Sequence, residues 1–195
     1  IIIDSDGSTL YNLYTEFGIS QKTVNFALST SGTNVAAKCR EVTRHIEDNL
    51  KGEVMTEVRC LVDEGFFDAL IAHASVKEVF LNHAAAIQTL GGDPRKKFPF
   101  GGITFEEYRG KATDMDGTTR QFIADDQGHA FPMGTMATFQ TLYAPGDFLE
   151  TVNTIGIPLY AKQEARKFNR GIDLHIQSNP LPICYRPGVL VKVIK

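Results

Sequence analysis

The chain holds 195 residues, with 20 basic and 23 acidic side chains, a formal charge of −3 and 43% hydrophobic residues. That length suits one sizeable core or two subdomains sharing a sheet, since domains run about 100–200 residues. The near-neutral balance gives no electrostatic footprint for tight nucleic-acid binding, and no apolar run approaches the ~20 residues that span a bilayer, so a soluble protein is expected.

The string starts at Ile1 with no initiator Met. It reads as a processed product or the ordered part of a longer chain, and the absence of a leader carries no weight. The opening stretch, IIIDSDGSTL, has two readings. Three β-branched residues followed by D-x-D-G-S resemble the first motif of the haloacid dehalogenase superfamily, which would make the protein a Mg²⁺-dependent phosphatase with Asp4 as nucleophile and Asp6 as acid/base. The alternative is a strand running into an Asp-Gly turn. A near copy, DMDGTT, spans Asp114 to Thr119, and two copies are one too many for a single active site.

From Thr33 to Lys51, the apolar residues Val35, Cys39, Val42, Ile46 and Leu50 step by four, three, four and four, which lays one stripe along a helix. Ser31 or Thr33 is expected to cap its start and Gly52 to end it. Arg44 with Asp48 and Glu47 with Lys51 are expected as i,i+4 pairs on the wet face. At 1.5 Å per residue the element would run roughly 28 Å, the length of a strut across a domain.

GEVMTEVRCLVDEG alternates weakly and predicts a strand, with a second helix as the alternative. FFDALIAHASVKEVFLNHAAAIQTL predicts two helical pieces, Phe66, Phe67, Leu70 and Ile71 forming one apolar face. Ser75 with Glu78 reads as a capping box for the second piece. GGDPRKK then breaks the helix. From Phe98 onward, short alternating runs separated by Gly, Pro and Asp-Gly turns predict a β-rich region that ends in the strand GVLVKVIK. Helices early and strands late indicate an α+β fold.

A haloacid dehalogenase site also needs a Ser or Thr ending a second strand, a helical Lys and a paired-carboxylate motif, brought together at one edge of a parallel sheet. FIADD supplies Asp125 and Asp126, and GDFLET resembles the G-D-x-x-x-D variant. However, Thr151 stands where the second carboxylate is needed, and Asp125 follows Asp116 too closely for a βα unit. That spacing suits a hairpin with Asp116-Gly117 at its turn. There is no G-x-S-x-G, H-E-x-x-H or P-loop. Cys39, Cys60 and Cys184 lack metal-site companions and read as small buried residues, while His45, His73, His83, His129 and His175 never fall at ligand spacing. No catalytic residue, cofactor or metal is expected.

The second half carries longer motifs. FPFGGITFEEYRG, AFPMGT, YAPGDFLETVNTIGIPLYAKQ and above all QSNPLPICYRPGVLVKV resemble the major capsid protein E family of tailed phages and prophages, the lambda-type coat proteins. FFDALIAHASVKEVFLN is similar to the same family at the same relative place, so the resemblance covers residues 50 to 195 well. It implies the capsid fold of the Hong Kong phage type, with a peripheral domain holding a long spine helix and an axial domain whose loops meet at capsomer centres. On that footing residues 1–68 belong to the peripheral domain with 33–51 as the spine helix, 69–143 to the axial domain, and 144–195 return to the peripheral domain.

The resemblance further implies a structural protein, with no enzymatic role, that self-assembles into the icosahedral head shell around the DNA genome. Its partners would be copies of itself in pentamers and hexamers, with scaffolding, portal and head-decoration proteins, packaged DNA met non-specifically, and no membrane. It would reside in the virion capsid after assembly in the host bacterial cytoplasm. Arg40, Glu41, Arg44, Glu47 and Asp48 on the wet helix face are candidate inter-subunit contacts, against a solvated face as the alternative. Such proteins carry an N-terminal arm and an extended loop before the spine helix, where only about thirty residues precede it here. The chain alone is therefore expected to be monomeric or weakly associated. A Mg²⁺ phosphatase and a small-molecule or peptide-binding module remain as readings from other classes.

Overall fold

A mixed six-stranded sheet organises most of the chain in the computed structural model, which describes residues 2–3 and 6–195, Asn169 by its backbone alone. The elements run β1 (Ile2–Ile3), β2 (Thr9–Tyr11), α1 (Leu13–Glu16), β3 (Lys22–Asn25), α2 (Val35–Leu50), β4 (Glu57–Val62), α3 (Glu64–Ala72), α4 (Lys77–Thr89), β5 (Phe98–Phe100) and β6 (Ile103–Glu107). They continue with β7 (Lys111–Thr113), β8 (Thr119–Gln121), β9 (Gln127–Met133), β10 (Phe139–Tyr143), β11 (Tyr160–Ala165), β12 (Ile172–Gln177), β13 (Pro180–Cys184) and β14 (Val191–Ile194). The sheet order is β3-β14-β9-β4-β6-β5. β14 runs parallel to β3 and antiparallel to β9, and β4 runs antiparallel to β9 and parallel to β6.

Period-2 burial explains the sheet. Val58, Cys60 and Val62 on β4, Ile103 and Phe105 on β6, and Val191 and Val193 on β14 are all at most 2% exposed, and the register sets Phe105, Cys60, Ala130 and Val191 in one row. Gly128 continues the next row between Val62 and Val193, where a Cβ would lie 2.5 Å from Val62 Cγ1 and 2.9 Å from Val193 Cγ2, so only glycine lets these strands close. Helix α2 packs on β3 and β9, and α3 on β6 and β9. Phe26 sits edge-on to Phe66 at 5.6 Å and to Phe105 at 6.3 Å, joining helix layer to sheet.

The helix stripe is as expected: Val35, Cys39, Val42, Ile46 and Leu50 are the buried residues of α2. Its cap differs. Asn34 accepts from Ala37 N–H at 3.0 Å, while the Thr33 hydroxyl donates to the Ala27 carbonyl, so neither Ser31 nor Thr33 caps the helix. Lys51 (φ 53°) and Gly52 (φ 87°) turn the chain out through two left-handed residues. The two-piece helical reading is met by α3 and α4, but the capping box is not formed: Ser75 Oγ bonds His73 Nδ1 at 2.9 Å, and Val76 at the N-cap makes no side-chain cap. Gly101 and Gly102, both at positive φ, form the two-residue turn between β5 and β6.

Two compact units divide the chain. One is Ile1–Met136 with Arg186–Lys195, the other Ala137–Tyr185. Within the first, β4 is bonded to both β6 and β9. The second unit consists of two antiparallel ribbons, β10–β13 and β11–β12, and short 3-10 turns at Leu149–Thr151 and Lys167–Asn169.

Candidate assembly surfaces

Opposite its buried stripe, α2 exposes Arg40, Glu41, Arg44, Glu47 and Asp48. Glu41 is engaged, with Lys38 Nζ at 3.3 Å and Lys22 Nζ of β3 at 3.5 Å. Among the described residues neither expected i,i+4 pair forms. Lys51 has left the helix in the left-handed region and so loses its place one turn beyond Glu47. Arg44 to Asp48 runs basic before acidic, the weaker orientation along a helix. Four charges on one face thus make no ion pair with the described residues, a condition compatible with solvent or with a neighbouring surface.

In the second unit, β12 reads IDLHIQ, and its alternation puts Ile172, Leu174 and Ile176 on one face at 63%, 73% and 66% exposure. Opposite them in register on β11 stand Ala165, Gln163 and Ala161. The other face of the ribbon carries Lys162, Glu164, Asp173 and His175, and Phe148 lies against it: its ring is 5.6 Å from His175 and 6.3 Å from Tyr160, with Lys162 Nζ 4.5 Å above it. The charged side of the ribbon has a partner within the unit while the apolar side is open. Strict alternation in IDLHIQ was the signal that could have found this face from sequence.

Asp6, in the opening motif, takes turn chemistry. Asp4 lies outside the described residues. Asp6 accepts from Ser8 N–H at 2.8 Å in the loop joining β1 to β2, and hydrogen bonding by Ser8 holds its carboxyl below the ordinary value. In DMDGTT, Gly117 (φ 81°) turns the β7–β8 hairpin, and Asp114 bonds Arg120. A groove of about 390 Å³ is lined by Asp63, Glu64, Asp68, Asp125 and Asp126, most of them tied locally. Asp63 Oδ2 accepts from Gly65 and Asp126 N–H, Asp125 accepts from Gln121, Asp126 from Lys195 Nζ, and Glu64 pairs with Arg109. Among the described residues no three His, Cys, Asp or Glu side chains are grouped to hold a metal.

The three cysteines are buried, and burial pushes the Cys39 thiol up to about 12 and the Cys60 thiol higher still, away from nucleophilic use. His73 is pinned between Ser75 and the Thr30 carbonyl, and His45 against the Gly188 carbonyl. Burial, then the charge of Lys192 beside it across β14, lowers His129 below the ordinary imidazole value. No helix among the described residues is long and apolar enough to cross a membrane.

Comparison with known proteins agrees with the family resemblance. The family model for phage major capsid protein E matches residues 1–195. The major capsid protein of Salmonella phage Felix O1 is 29% identical over 220 residues, covering 98% of this chain and 60% of that protein. That of Pseudomonas phage KPP10 is 31% identical over 197 residues, covering 95% and 56% respectively. The chain therefore spans somewhat over half the length of these curated relatives. A crystal structure described as that of a prophage capsid protein of Escherichia coli CFT073 aligns with TM-score 0.53 at 18% identity, over 88% of this chain and 52% of the other, a likeness that shows the fold.

Proposed function

The chain belongs to the phage major capsid protein E family, and from that premise we propose that it serves as the structural subunit of a phage or prophage head, many copies associating into the icosahedral shell that encloses the DNA genome. The observation that carries this is the family match along the whole chain. The protein acts as a scaffold of surfaces and performs no catalysis. It works in the virion, assembling in the host cytoplasm into pentamers and hexamers, with scaffolding, portal and decoration proteins as further partners and DNA touched non-specifically.

A shell needs lateral contacts that repeat by rotation, each weak alone and strong in combination. The wet face of α2 supplies one such surface through Arg40, Glu41, Arg44, Glu47 and Asp48, where exposed and mostly unpaired charges select a complementary neighbour. On this reading residues 1–68, with the spine helix at 33–51, and residues 144–195 supply the peripheral body, and residues 69–143 the axial body.

Electron microscopy of the product of the whole coding sequence tests the reading: rings or closed shells are expected, and a product that stays monomeric at micromolar concentration overturns it. Arg44→Glu with Glu47→Lys should lower particle yield and leave the thermal midpoint of the subunit unchanged. An unchanged yield would show the α2 face to be merely solvated.

A further inference from the structure

We propose that the apolar face of the β11–β12 ribbon, Ile172, Leu174 and Ile176 with Ala161, Gln163 and Ala165, is a docking surface for the same face on a second copy of the chain. The inference rests on the shell reading above and adds which surface meets which.

Three observations converge on that occupant. The face is open although it is mostly apolar: three large aliphatic residues in a row stay more than 60% exposed, on a unit in which, among the described side chains, only Thr138 and Cys184 are buried. Single exposed aliphatics are ordinary, but an aligned set on one face of a ribbon marks an interaction surface. The opposite face of the same two strands is partnered, since Phe148 lies against Tyr160 and His175 and Lys162 pairs with Glu150. The ribbon is thus seated on one side only.

The composition of the open face then chooses among partners. None of its six positions carries a charge. A nucleic acid is recognised through basic side chains, which this face lacks. A membrane surface is met by apolar residues flanked by lysine or arginine on the same element's polar margin, and the charges here are split between both signs on the far side. A copy of itself meets neither repulsion nor a buried unpaired charge, because a face without charge is complementary to itself. Six small to medium side chains per copy fall below the ~1,200 Å² that a stable pair buries. The contact is accordingly weak in isolation and becomes effective where each subunit makes several contacts at once.

The test uses the 195-residue chain. Leu174→Cys places a thiol on the open face and His175→Cys one on the seated face, against native cysteines that are all buried. Under mild oxidation at high micromolar concentration, Leu174→Cys should give a disulfide-linked dimer several-fold faster than His175→Cys. Sedimentation equilibrium should show a reversible rise in mass with concentration that Leu174→Glu abolishes. Equal crosslinking from both faces, a strictly monomeric wild type, or association unchanged by Leu174→Glu would each overturn the inference. A thermal midpoint lowered by Leu174→Glu with association intact would instead show the face to be covered by the chain's own residues. In the whole coding sequence, shells that form as readily with Leu174→Glu as without it would remove this contact and leave the capsid reading standing. A wild-type product that forms no particles would remove the capsid reading, while the crosslink remains measurable on the chain alone.

Discussion

The two compact units carry similar shares of regular secondary structure and differ in what it encloses. In the larger unit Phe26, Phe66, Phe67, Phe98 and Phe105 are at most 1% exposed, and helices α2 and α3 cover one face of the sheet. In Ala137–Tyr185 the ladders of β10–β13 and β11–β12 are regular along five and six residues each, yet Leu149, Ile155 and Phe168 are more than 85% exposed. A hydrogen-bond ladder without a covered apolar face is marginal in water, because the net gain per bond is small against the entropy of ordering the chain. The larger unit encloses an aromatic core, and the smaller one leaves most of its large apolar side chains open.

The strongest way to break this contrast is to remove Gly188–Lys195. Val189, Val191 and Val193 are fully buried, and β14 is an interior strand bonded to β3 on one side and β9 on the other. Its loss opens two strand edges and strips the core row, so the truncated chain should be insoluble or unfolded by circular dichroism. A soluble truncation with an unchanged thermal midpoint would show that the sheet does not depend on its C-terminal strand.

A matched pair of substitutions sharpens the contrast. Phe66→Ala empties a site with 0% exposure against Phe26, and should cost about 3–5 kcal/mol in urea unfolding. Leu174→Ala removes a side chain that is 73% exposed, and at low protein concentration should stay within about 0.5 kcal/mol of wild type. If Leu174→Ala approached the cost of Phe66→Ala, the smaller unit would have a core that its exposure does not reveal.

What the sequence made legible follows the same division. The α2 stripe and the Asp116-Gly117 turn are local signals, decided by residues within one helix or one hairpin, and both appear where their spacing puts them. The cap passed to Asn34, itself a favoured N-cap residue, because the Thr33 hydroxyl is taken by the Ala27 carbonyl. The strand order was not legible, since β14 pairs with β3 from the far end of the chain and no pattern near Lys22 announces Val191. The pairing of β4 with β6 and β9 was hidden for the same reason, since its partners lie some forty and seventy residues further along the chain. Of the candidate contacts, the α2 face was visible as the complement of a buried stripe. The ribbon face lay hidden because a short alternating run reads as an ordinary half-buried strand until the structure shows nothing over its apolar side.

The smallest effect expected is one of pH, and it belongs to the larger unit alone. His129 on β9 is pushed below the ordinary imidazole value by burial first and by Lys192 second. The folded state therefore resists protonation, whereas the unfolded chain accepts a proton as pH falls through about 6.5. Below that point the unfolded state binds more protons, so stability is fully present above the unfolded value and declines as pH falls toward the folded one. The thermal midpoint should drop between about pH 7.5 and about pH 5.5, above the range in which carboxylates titrate, and His129→Gln should flatten that drop. Hydrogen exchange read on the smaller unit over the same interval should not follow it, because His129 lies in the sheet-centred unit. A pH-dependent loss that persisted in His129→Gln would assign the effect to another group, and one that appeared equally in both units would show that they unfold as a single cooperative body.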